Sequence, residues 1–526
     1  MIPPSQDSLA ADLEPSTSPY VTVRSWLARG RTGRAFAGLV VDFLGSSSSI
    51  VIALLFTPMV VAWLGAPMYG FWIAASQIIL WLSLLDGGIG ANLMKTISTH
   101  RASAPERVER AIASTFWCYV CIAVATLLIG ASMTPFVSRW MHLHGEAARQ
   151  GTITFAVAVF TSVVALVAVP TFYVILNGFQ KLALVNGLVS GVSIAGTIGG
   201  LLFVWAGLGV IGLAVAQLLA TLAGAVLALL WSRRLFPFRL SLRYVSRSEL
   251  VEMLRFALYF TMSKTAFLTS NYSDGILIAM FYGTAPVAVF ALTQKLSSAA
   301  FMFVVKVGSV AVPGLAELMG AGDRPALRSV ITRMTRILVR IAILAATIIL
   351  TLNHRFVAAW TGEATFGGAL LTALFAWGIF RDTIIRNLSA PLFASGDLKG
   401  WGLLSSAEAV LKVGLSIALL PILGIVGPMV GTAVAELITG VYTPFKLIRL
   451  LDIDPRTIFS DAILPPFLRS LPTVAVMTFL AFVVPAHWRW FGIVTIASAG
   501  VLANIIAFDL SHIATFFRQP QFGRTA

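Results

Sequence analysis

The sequence predicts an all-helical integral membrane protein of about fourteen spanning helices, arranged as two pseudo-symmetric six-helix lobes followed by two further helices. Three observations predict it. The 526 residues are 58% hydrophobic and only 11% charged, with a mean hydropathy of +0.89, a composition outside the range of water-soluble domains. Fourteen apolar stretches, each long enough to cross a bilayer at about 20 residues per span, lie between Phe36 and His512. One piece of this membrane sequence also occurs twice. A span ending at Pro170, the polar turn Asn177 to Lys181, an apolar stretch and the turn Gly207 to Gly212 are matched by Pro391, Ala394 to Lys399, a second apolar stretch and Gly424 to Gly427. Duplicated halves around a central plane are a common plan for secondary transporters, with the substrate path between them.

The elements follow in order. Residues 1–35 hold Ser, Pro and acidic residues ahead of the basic cluster Arg24, Arg29, Arg31 and Arg34; the apolar segment after them is too long for a signal-peptide core, so a disordered cytoplasmic tail is expected. Spans 36–64, 68–94, 111–137, 152–176, 184–205 and 209–231 form a first lobe, residues 36–232. The polar loop 233–254 bridges to a second lobe, residues 255–450, with spans 255–282, 286–313, 330–352, 367–390, 401–422 and 426–449. Spans 464–485 and 489–512, within residues 451–512, stand outside the duplication, and 513–526 is a second tail. Cys118 and Cys121 share the third span, where buried thiols are expected rather than a disulfide or a metal site.

Charge sets the orientation. Of 37 Lys and Arg residues, 27 fall in alternate loops and the two tails, four (Arg139, Arg149, Arg355, Arg489) on the opposite side and six within spans. The positive-inside rule places both termini in the cytoplasm. It also accounts for the net charge of +15 without nucleic acid. Loops on the outer side reach only about 13 residues, too short for an extracytoplasmic catalytic domain. With no nucleotide-binding loop, no nucleophile beside a base and no acidic metal cluster in the sequence, neither an enzyme nor a resident cofactor is expected. His142 and His144 offer two ligands, which do not make a metal site.

The first hairpin, Leu64, Gly65, Ala66, Pro67, Met68, Tyr69, Gly70, Phe71 and Trp72, running to Leu85, Asp86, Gly87, Gly88, Ile89 and Gly90, resembles the "LG...YG.W" turn and "D.G.G" span end of the O-antigen type (Wzx-like) polysaccharide flippases. Asp274, Leu277, Ile278, Tyr282, Gly283, Val287, Phe290, Lys295 and Leu296 are similar to that family's "D..LI...G...V..Y...KL" stretch, with Phe290 in place of its Tyr; Pro313, Glu317, Gly322 and Asp323 follow as its "P..S.L...GD" does, without the Ser. The resemblance covers residues 36 to about 450. It implies membership of the multidrug/oligosaccharidyl-lipid/polysaccharide exporter superfamily, a MATE-like fold and a bacterial inner-membrane location. It further implies alternating-access movement of a polyprenyl-diphosphate-linked oligosaccharide to the outer leaflet, by a monomer that meets membrane lipids and polysaccharide assembly proteins. Two relatives of the same architecture stay open as alternatives, a peptidoglycan-precursor flippase and a drug/cation antiporter; a polytopic polymerase or ligase is disfavoured by the short outer loops.

A lipid diphosphate needs an anion path through the bilayer, so Lys and Arg facing an internal cavity are the physical requirement. The six basic residues within spans are Lys264, Lys295, Lys306, Arg381, Arg386 and Lys412, all in the second lobe. Lys264, Lys295 and Arg381 have no opposite charge at helical spacing and are expected to line the cavity. Glu408 with Lys412, and Asp382 with Arg386, are spaced i, i+4 and read equally as structural pairs; Lys306 reads equally as a side chain reaching the interface. Asp42 and Asp86 of the first lobe, and Asp274 and Glu436 less so, are the candidate carboxylates for a coupling proton or sodium ion. Against that, Asp42 lies close enough to the cytoplasm to be hydrated, and Asp86 can serve to fix a helix end.

Overall fold

The computed structural model describes residues 31–507 apart from 87, 102, 310–311, 395–397, 441, 443–444 and 446–453. The second copy of the repeated polar turn, Ala394 to Lys399, therefore falls in part outside the described residues.

Helix α1, Arg31–Leu82, is two antiparallel spans joined at a sharp break at Gly65. Then come α2 (Ile89–His100), α3 (Pro105–Trp140), α4 (Gly145–Ala168), α5 (Val174–Gly178), α6 (Leu182–Phe203) and α7 (Gly209–Leu235). The second half has α8 (Arg247–Tyr272), α9 (Asp274–Tyr282), α10 (Thr284–Ser309), α11 (Val312–Gly320), α12 (Arg324–Trp360), α13 (Ala369–Ala394), α14 (Leu398–Leu423) and α15 (Gly427–Thr439). Short α16 (Pro455–Ile458) leads to α17 (Leu464–Val483) and α18 (Arg489–Ala507). No strand occurs among the described residues.

Local chemistry sets these boundaries. Pro105 starts α3, where its missing N–H costs nothing, and the Asp323 carboxylate caps α12 by accepting from the Ala326 N–H. Pro170 cannot donate to the preceding turn, and the chain widens into a π turn over Val169–Tyr173. The duplicated turns end their spans alike: Gly207 has φ 88° and Gly424 φ 59°, a region that glycine enters without steric cost.

Nine helices among the described residues are long and apolar enough to cross a membrane. The stretches Val41–Leu82, Leu182–Leu235 and Gly402–Thr439 each run two expected spans together, because their glycine turns interrupt the helix for only a residue or two. Two expected spans are instead broken. The second stops at Leu82, passes through a tight turn over Ser83–Asp86 and resumes at Ile89; the seventh is divided at Ser273 between α8 and α9.

Helix pairing repeats between the halves. In the first, α1 packs on α6, α3 on α4, and α7 on both α4 and α6; in the second, α8 packs on α14, α12 on α13, and α15 on both α13 and α14. The last two helices pack on each other and on α12. Arg355 of α12 donates to the carbonyls of Ala481 and Val484, and Arg340 to the Asn504 side chain and carbonyl, so two arginines tie the added pair to the bundle.

Between the halves, α1 runs along α10. The Trp360 indole N–H donates to the Leu54 carbonyl at 2.7 Å, and a Cβ at Gly70 would lie 1.8 Å from the Thr284 carbonyl oxygen, so the backbones touch there. At this end, where the chain turns at Gly65, Met141 and Gly283, one apolar cluster draws on both halves: Phe71, Ile78, Phe155, Ile278, Phe290, Phe375 and Leu420. At the opposite end the cores are separate, one around Leu93, Ile97, Ile112 and Ile175, the other around Leu315, Leu327, Ile331 and Leu388.

Candidate functional site

Three of the sequence-derived basic residues sit in ion pairs formed between helices distant in the chain. The Lys264 ammonium on α8 lies 3.3 Å from the Asp86 carboxylate and also donates to the Ser83 carbonyl. Asp86 closes the tight turn before α2, so this contact spans the two halves. Its carboxylate also accepts from the Tyr119 hydroxyl of α3, and that oxygen accepts from the Gly90 N–H at 3.0 Å. Lys412 on α14 lies 3.1 Å from Asp274, the first residue of α9, and donates to the Ser270 carbonyl. Arg381 on α13 meets three carboxylates: Glu436 of α15 at 2.9 Å, Asp382 at 3.0 Å and Glu408 of α14 at 3.6 Å. Glu408 also accepts from the Thr439 hydroxyl.

These contacts redraw the expected pairings. Glu408 and Lys412 share a helix but turn to different neighbours, and Asp382 takes Arg381 as its partner. Lys264 and Arg381, expected to be uncompensated, are each matched by carboxylate. The physical reason is the cost of a bare charge in an apolar bundle, which favours any opposite charge that the fold can bring near. Sequence spacing could not show these partners, since Asp86 and Lys264 are 178 residues apart and Asp274 and Lys412 are 138 apart. The side chains of Lys306 and Arg386 lie outside the described residues. Asp42 sits partly exposed on α1.

Lys295 differs from the rest, having no hydrogen-bond or ion-pair partner among the described residues. Its direction follows from its neighbours on α10. Ala288 and Leu292 face α1, within the cluster that holds Val60, Val61 and Tyr69; Val287 and Phe290 enter the apolar cluster shared by both halves. Thr293 and Ser297 turn to the helix's own half: the Thr293 hydroxyl accepts from the Gly367 N–H between α12 and α13, and the Ser297 hydroxyl donates to the Phe375 carbonyl of α13. At about 100° per residue, Lys295 falls between the α1 face and the shared cluster, away from α12 and α13. Its Cα–Cβ bond therefore faces the first half.

Among the described residues no group of three or more metal-ligating side chains forms, and Cys118 and Cys121 are both free thiols.

The fold is shared with solved transporters. The chain resembles the lipid II flippase MurJ in an inward closed conformation, with a TM-score of 0.72 at 14% identity over 91% of this chain and 100% of that one. It also resembles the MATE multidrug transporter DinF-BH, with a TM-score of 0.59 at 14% identity over 82% and 96%. A third match is an outward-facing multidrug resistance MATE family transporter of the MOP superfamily, with a TM-score of 0.57 at 15% identity over 81% and 97%. No curated protein sequence matches the chain. The profile of one family, described as "Polysaccharide biosynthesis protein", matches residues 36–319, more than half of the 526. A multi-pass helical bundle of this superfamily's fold, matched over that length, belongs to the polysaccharide biosynthesis protein family.

Proposed function

We propose that the protein moves a polyprenyl-diphosphate-linked oligosaccharide from the cytoplasmic to the outer leaflet of a bacterial inner membrane by alternating access, for cell-surface polysaccharide synthesis. The observation that carries this reading is family membership through residues 36–319 on a fold that a lipid-linked-substrate flippase shares. The arrangement of the cores supports it: two apolar clusters join the halves at one end, and separate clusters serve them at the other, as rocking of two units about a shared end requires. The uneven distribution of Lys and Arg puts both termini in the cytoplasm. Lys295, which has no partner among the described residues, supplies a cation for the diphosphate, and Lys264, Arg381 and Lys412 stand as further cavity residues. Asp42, Asp86 and Asp274 stand as the carboxylates for a coupling proton or sodium ion, the last two now holding lysine ammonium groups.

A second reading, a peptidoglycan-precursor flippase, is favoured by the extent of the likeness to the lipid II flippase. Purified protein in vesicles, offered fluorescent lipid-linked oligosaccharide, lipid II and a cationic drug in separate arms, separates these readings. We expect translocation of the lipid-linked oligosaccharide above protein-free vesicles. Movement of lipid II alone would transfer the assignment to the second reading, and movement of the drug alone would overturn both.

A further inference from the structure

Lys264 and Lys412 have the same composition of partners, a carboxylate and a backbone carbonyl, but differ in access. The Lys412 and Asp274 side chains are 3% and 8% exposed, whereas those of Lys264 and Asp86 are 22% and 25% exposed. One pair is sealed inside the second half; the other is partly open and joins the two halves.

The surroundings of the open pair are those of a built anion seat. A lysine ammonium and a tyrosine hydroxyl converge on the two carboxylate oxygens of Asp86. Tyr119 is fully buried and takes the Gly90 N–H at the start of α2. One lone pair is thereby occupied, and its proton meets the Asp86 carboxylate, with the Asp86 carbonyl oxygen 3.2 Å away as a second acceptor. Such a donor set, a charge plus an oriented hydroxyl backed by a helix start, suits any compact oxyanion. Asp86 occupies it as a tethered carboxylate bearing a single negative charge.

We propose that the Lys264–Tyr119 seat is a phosphoryl-binding site, masked in this state by Asp86, which the diphosphate of the substrate enters by displacing that carboxylate. The inference rests on the flippase reading for the identity of the ligand. A diphosphate carries more negative charge than a carboxylate and competes for the same donors. Because Asp86 belongs to the first half and Lys264 to the second, the exchange also removes an ionic contact between the halves. Substrate arrival and the release of that contact then become one event.

The test is binding of inorganic pyrophosphate, and in a second arm of a short prenyl diphosphate without sugar, to the purified full-length chain. Wild type is compared with Asp86→Asn, Lys264→Gln and the double variant. Emptying the seat of its resident anion is expected to tighten binding about tenfold in Asp86→Asn, with the gain lost when Lys264→Gln is added. A gain with pyrophosphate shows that the seat reads the phosphoryl group itself; a gain confined to the prenyl diphosphate shows that it reads that group in its lipid setting. Binding no tighter than wild type in either arm, or a gain that survives Lys264→Gln, overturns the proposal. The double variant leaves no unpaired charge, so its unfolding midpoint checks that lost binding is not lost fold. A gain in Asp86→Asn without oligosaccharide translocation by wild type would remove the flippase reading and keep the seat; translocation without the gain would do the reverse.

Discussion

Lys412 and Asp274 form a contact whose members cannot be removed singly without penalty. Both side chains are nearly sealed, and a buried pair that loses one partner leaves the other charge without solvent or counterion, a cost of about 3–5 kcal/mol. Lys412→Met is therefore expected to lower the unfolding midpoint strongly, whereas Lys412→Met with Asp274→Asn recovers most of the loss. Equal midpoints for wild type and the single variant would show that the pair contributes nothing. Arg381 is more exposed to this effect, since its removal leaves Asp382, Glu408 and Glu436 together. Loss of transport in an Arg381 variant therefore reports on folding before it reports on substrate, and Lys295 is the better probe. The inward charges of the second half were legible in the sequence as residues, but their partners were not. An i, i+4 rule sees one helix at one spacing, whereas Asp86, Asp274, Glu408 and Glu436 reach their partners from other elements and Asp382 from the adjacent position.

The seam of α1 with α10 depends on backbone contact at Gly70, where any side chain would collide with the Thr284 carbonyl. Gly70→Val is expected to force these helices apart and uncouple the Trp360 to Leu54 hydrogen bond. A cysteine pair bridging α1 and α10 near that position would then cross-link less than in the Gly70 background, and unchanged cross-linking would contradict the close approach. The sequence located nearly all of the elements, because spans of this hydropathy cannot be anything else. The places it smoothed over were Ser83–Asp86 and Ser273, where polar residues interrupt an otherwise apolar run. Both interruptions lie beside a lysine contact: Lys264 bonds to Ser83 and Asp86, and Lys412 to Asp274. The breaks in the helices and the buried charges are thus the same feature, which hydropathy averaging cannot resolve.

At the scale of the whole molecule, the duplication is repeated in packing but not in charge. Equivalent helix pairs recur in both halves, while Lys264, Lys295, Lys306, Arg381, Arg386 and Lys412, the six bases assigned to span interiors, all belong to the second. The halves meet through apolar clusters at one end, a long helix seam and ionic contacts that include the partly exposed Lys264–Asp86 pair and Arg107 with Glu249. Lys295, turned toward the first half and unpaired among the described residues, is a charge available to an anion passing between them. The most direct measurement is the initial rate of lipid-linked oligosaccharide translocation in vesicles by wild type and Lys295→Ala, with unfolding midpoints recorded for both. We expect the rate to fall about tenfold or more while the midpoint stays within a few degrees, because removing an unpaired ammonium breaks no ion pair. Equal rates would contradict the assignment of Lys295 to the diphosphate, and no translocation by wild type would contradict the function itself.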